Sequence, residues 1–92
     1  MSPTVTNSEA AILSRTLRPE NGDLSADAAK SLLNLSLPDS DQRRAQDLAA
    51  KATDGSLTRP EELELDNYRA VGRLLELMKS KARLSLQKSQ AV

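Results

Sequence analysis

Thr58 to about Lys88, TRPEELELDNYRAVGRLLELMKSKARLSLQK, is the stretch that most limits what this chain can become. It opens with a capping box: the Thr58 hydroxyl is placed to accept from the backbone N–H of Glu61, and the Glu61 carboxylate is placed to reach back to Thr58. Pro60 falls in the first turn, where a missing N–H costs nothing. At about 100° per residue, Leu63, Ala70, Val71, Leu74, Leu75, Leu77, Met78 and Ala82 share one half of the wheel, with Tyr68 and Leu86 on its border. Glu62, Asp66, Arg69, Arg73, Glu76 and Arg83 share the other half. The spacing predicts one long amphipathic helix, whose apolar half is wider than a coiled-coil seam and needs more than one neighbour.

The rest of the chain supplies short helices. Thr6 and Glu9 repeat the capping-box spacing, which predicts a helix from Asn7 to about Leu17. Its Ile12 and Leu13 cannot both face one narrow stripe. Arg18-Pro19-Glu20-Asn21-Gly22-Asp23 reads as a loop, with Asn-Gly as the turn signal. Ser25 caps a second helix, Ala26 to about Leu35, with Ala28, Leu32 and Leu35 as its stripe and Ala29 and Leu33 beside it. Leu37-Pro38-Asp39 breaks that helix. Asp39 or Ser40 then caps a third, to about Thr53, whose apolar residues Ala45, Leu48, Ala49 and Ala52 are small. Asp54-Gly55 ends it, with Gly in the left-handed region. The run Asn21-Gly22-Asp23-Leu24-Ser25 is echoed by Asp54-Gly55-Ser56-Leu57-Thr58, which reads as one solution used twice. No stretch alternates with the two-residue period of a strand. The expected fold is all-α, three short helices packed on one long C-terminal amphipathic helix. The expected organisation is a flexible N-terminus at 1–6, a single helical domain at 7–88 and a flexible C-terminus at 89–92.

Composition removes several chemistries. The 92 residues contain no Cys and no His, so disulfides, thiolate nucleophiles, Cys/His zinc sites and imidazole acid–base catalysis are absent. There is one Tyr and neither Phe nor Trp, so the core must be built from Leu and Ala, with few large shapes to lock it. No apolar run approaches the roughly 18 residues of a membrane span, and MSPTVTNSEAA lacks the basic start and apolar centre of a signal peptide. A cytoplasmic location is expected.

Three constellations invite a chemical reading. Asp54, Gly55, Leu57 and Glu61 match parts of an EF-hand loop, but Ala50 and Ala52 stand where its first and third ligands belong, and helix capping explains the same residues. Glu61, Glu62, Glu64 and Asp66 are clustered carboxylates, but they point several ways on a helix, and the dipole favours negative charge in its first turn. No enzyme activity and no cofactor are expected. The third constellation is electrostatic. The whole chain is neutral, yet Met1–Leu65 carries seven basic and eleven acidic residues, while Asp66–Val92 carries six basic and two acidic. Lys79, Lys81, Arg83 and Lys88 cluster in the last turns. This basic end suits the helix dipole and also an acidic partner; without stacking aromatics or a broad basic face, direct nucleic-acid binding is the weaker reading.

A helix about 40 Å long outruns its shorter neighbours. Lys81 interrupts the apolar half, which predicts an intramolecular core ending near Met78. Ala82, Leu84 and Leu86 continue past it beside Lys79, Lys81 and Arg83, and the Tyr68-Val71-Leu75-Met78-Ala82 spacing allows self-association; together these ten residues are the candidate surface for a protein partner or a second copy. The order of parts — EAAIL, LSADAAKSLLNL, DQRRAQDLAAKATDGSLT, then EELELDNYRAVGRLLELMKSKARLSL — resembles a family of small bacterial proteins often encoded beside an HNH-type nuclease. The likeness runs from about Glu9 to Lys88. It implies an accessory or antitoxin-like partner of that nuclease and brings no functional residues with it. The alternatives are a nucleic-acid-associated protein using the basic end and a structural homodimer.

Overall fold

Local capping decides where the helices begin and end. The computed structural model describes residues 7–90. Helix α1 spans Glu9–Leu17 and is capped by Ser8, whose Oγ accepts from the Ala11 N–H. The cap expected at Thr6 lies outside the described residues. Helix α2 spans Ala26–Leu33, with Ser25 Oγ accepting from the Ala28 N–H. Helix α3 spans Asp39–Thr53; its N-cap is Pro38 rather than Asp39 or Ser40, and no side chain caps it. Helix α4 spans Arg59–Gln90, about 48 Å at 1.5 Å per residue. Both halves of its capping box are made: Glu61 N–H donates to Thr58 Oγ1 at 3.3 Å and Thr58 N–H to Glu61 Oε1 at 3.0 Å. α4 runs two residues past Lys88, where the sequence was expected to end it.

The molecule is all-α among the described residues, with three shorter helices packed on the long last one. Among the described residues no helix is long and apolar enough to cross a membrane. The fold divides into two compact units. One runs to Leu35 and resumes at Leu74; the other is Ser36–Arg73. α4 therefore lends its first half to one unit and its second half to the other.

In the Ser36–Arg73 unit, α3 and the start of α4 form an antiparallel hairpin. Gly55, at φ +68°, supplies the left-handed residue that ends α3. Ser56 N–H returns to Lys51 O and Gly55 N–H to Ala52 O, the paired bonds of a Schellman motif. The side chains that tie the hairpin are spaced 41, 44, 51 on α3 and 61, 64, 68 on α4, one face of each helix. Leu48 and Leu65 are its buried side chains. Leu65 lies outside the apolar half read from the wheel, and Leu63, inside that half, is 51% exposed. One wheel drawn for all of α4 averages over two halves that serve different units.

The other unit contains α1, α2 and the second half of α4. Its buried side chains are small or polar: Ala29, Ala82, Ser85 and Lys81. The core thus does not end near Met78, as the position of Lys81 had suggested; the most buried stretch of α4 lies after it. Ile12 and Leu13 are both exposed. The α1–α2 loop turns at Arg18-Pro19-Glu20-Asn21, with Asn21 N–H bonded to Arg18 O and Pro19 in the position its fixed φ favours. Gly22 does something else. A Cβ there would stand 2.9 Å from Leu84 Cγ and 3.0 Å from the Leu84 backbone, so glycine allows the loop to lie directly on α4. The echo between Gly22 and Gly55 is therefore one of composition; only the hydroxyl caps that follow them are a shared solution.

Candidate protein-interaction surface

The ten residues singled out on α4 divide by their surroundings. Tyr68 is half-buried, and its hydroxyl donates to Asp41 Oδ1 at 2.7 Å. Val71 is 43% exposed. Leu75, Met78, Lys79, Leu84 and Leu86 are half-buried, and Arg83 is exposed, 3.9 Å from Glu76. Lys81 and Ala82 are buried. Lys81 is covered by the α1–α2 segment, through Leu17, Arg18 and Asp23.

Lys81 is the centre of that covering contact. Its ammonium donates to the carbonyls of Leu17 and Arg18 at 2.7 and 3.4 Å and pairs with Asp23 at 2.6 Å. The two carbonyls end α1, where the helix itself supplies no donor; Arg18 O also accepts from the Asn21 N–H. Arg18 has a left-handed φ of 50°, which turns the chain away and lets the cation approach. The ammonium holds the Asp23 carboxyl below its usual range, chiefly through their hydrogen bond. One turn on, Ser85 Oγ accepts from the Leu24 N–H at 3.2 Å and donates to Lys81 O at 2.8 Å. Residues 22–24 are thus fastened to residues 81–85 by a polar clamp. Sequence reasoning missed it because backbone carbonyls and a loop amide carry no side-chain signature.

The hairpin is tied by charge. Arg44 grips Glu64 with two bonds, Nε to Oε2 at 2.7 Å and an Nη to Oε1 at 2.9 Å. Lys51 donates to Glu61, and Arg44 also lies 3.8 Å from Glu61. The Lys51 bond, then the Thr58 N–H, bring the Glu61 carboxyl down to about 2. Arg44 likewise lowers Glu64. The Asp41 bond, with burial, raises the Tyr68 hydroxyl. A carboxyl that gives up a proton near neutrality needs the opposite shift, so these two act as charged anchors. Glu61, the last position of the EF-hand-like pattern, has its oxygens engaged by Lys51 and Thr58. No cluster of three or more metal-ligating side chains occurs among the described residues.

The exposed apolar side chains on α4 are Leu63 and Val71, with Ile12, Leu13 and Leu35 elsewhere. Leu63 and Val71 are eight residues apart, two turns of one side of α4 within the Ser36–Arg73 unit. Leu63 was legible as apolar and amphipathic, but its exposure was not. No family model, curated protein or solved structure matches this chain.

Proposed function

We propose that this protein is a non-enzymatic protein–protein interaction module that binds through α4, acting in the cytoplasm as an accessory or antitoxin-like partner of another protein. The observation that carries the reading is the exposure of Leu63 and Val71 on the same side of α4. Few large side chains are buried among the described residues, so leaving these two in water forfeits stability the fold can ill spare. A helix laid in a partner's groove recovers that area with anchors at such spacings. The charge of Lys81 is taken up by Asp23 and two carbonyls, which thins the basic end and favours a protein over a nucleic acid.

The family resemblance makes a small HNH-type nuclease the first partner to try. Co-expression should recover a complex with the parent chain and lose it with Leu63→Ser/Val71→Ser. Both sites are exposed in the single chain, so at concentrations where the chain is monomeric the variant should melt with the parent. Capture at full affinity by the double variant would overturn α4 as the binding element.

A further inference from the structure

α4 carries a charge pattern that its own chain uses only at Glu62. Glu62, Asp66, Arg69 and Arg73 follow at spacings of four, three and four, which makes one stripe along the helix. All four are exposed. Glu62 pairs with Arg59; Asp66, Arg69 and Arg73 have no ion pair or hydrogen bond among the described residues. Within the helix the order is mixed: Asp66 and Arg69 are opposite charges three apart, but Glu62 and Asp66 are like charges four apart, and so are Arg69 and Arg73.

Read from its other end, the stripe is the same with every sign reversed. Two copies of α4 laid antiparallel, with a two-fold axis between Asn67 and Tyr68, set Glu62 against Arg73 and Asp66 against Arg69, each twice. A parallel pair would set each charge against itself. Leu63 and Ala70 stand beside the stripe, one residue on from Glu62 and Arg69, and supply an apolar component; Leu63 is half in water in the single chain. Such a contact is isologous and closes on itself.

We propose that this side of α4, within Ser36–Arg73, is the interface of an antiparallel homodimer held by the Glu62–Arg73 and Asp66–Arg69 pairs around Leu63 and Ala70. The proposal rests on the reading of α4 as an interaction helix and names a second copy as its occupant. Exposed pairs are screened by ions, so association weakens as salt is raised.

Sedimentation of the full chain over a range of concentrations tests it. The parent should self-associate. Asp66→Arg and Arg69→Asp should each weaken association by about tenfold or more, since either change turns two attractive pairs repulsive. An equimolar mixture of the two variants should associate again. So should the double variant Asp66→Arg/Arg69→Asp, and this recovery belongs to the antiparallel arrangement alone. Circular dichroism of each variant confirms that the helices persist. A parent that stays monomeric, single variants that associate like the parent, or a double variant that does not recover would each overturn the homodimer. A monomeric parent that still captures another protein through Leu63 and Val71 would overturn the homodimer while leaving the interaction reading in place.

Discussion

Gly22 and Gly72 show how differently one residue type can be used. At Gly22 an added methyl meets the Leu84 backbone at 3.0 Å, and backbone cannot swing aside. Gly22→Ala should lower stability by about 1–3 kcal/mol, as overpacking does. At Gly72, inside α4, nothing lies within 4 Å of an added Cβ. Gly72→Ala should therefore raise stability by about 1 kcal/mol, through helix propensity alone. Paired melting curves measure both, and equal effects would mean that the Gly22 approach to α4 is wrong. Lys81 is the other decisive residue. Lys81→Met keeps the stem and removes the donor, leaving the Leu17 carbonyl and Asp23 without their cation. The expected loss is about 1.5–3 kcal/mol, the range for hydrogen bonds to a charged group; an unchanged melting temperature would show that the clamp contributes no stability.

At the scale of elements, helix ends were legible and helix faces less so. Caps are written within three or four residues, so Ser25, Thr58 with Glu61, and Gly55 could be read directly. The α1 cap was misplaced by two residues because Thr6 and Ser8 offer the same hydroxyl. Faces depend on what arrives from elsewhere: nothing near Leu65 distinguishes it from Leu63, and only α3 makes one buried and the other exposed. The α3–α4 contact also predicts acid sensitivity. Glu61 is lowered from 4.5 to about 2 and Glu64 is lowered too, so the unfolded chain binds protons before the folded one. Their contribution is present above the unfolded value and is lost as pH falls from about 4.5 toward 2. Glu61→Gln should flatten the stability profile in that window. A variant with the parent's acid slope would place the dependence on other carboxylates.

For the whole molecule, the all-α class followed from periodicity and the absence of alternation, which are properties of the full chain and survive local errors. The candidate surface was less legible. Its apolar members were visible, but the division of α4 between two units was not, and the position taken as the end of the core, Lys81, proved to be inside it. The reason is physical: three oxygen partners offset the cost of taking an ammonium out of water, and two of them, the Leu17 and Arg18 carbonyls, lie more than sixty residues away in the sequence. The clamp around Lys81 and Ser85 has a thermodynamic consequence. It joins loop to helix through hydrogen bonds and an ion pair, so lifting residues 22–24 from α4 uncovers little hydrocarbon beyond the Leu84 side chain under Gly22. Such an opening carries a small heat-capacity change and a shallow dependence on denaturant. The Leu24 amide should then exchange its hydrogen at a rate nearly indifferent to dilute urea. The amides of Leu48 and Leu65, whose side chains are buried, should instead exchange through openings that urea promotes steeply. A steep urea response at Leu24 would mean that the loop lifts only when the helices beneath it come apart.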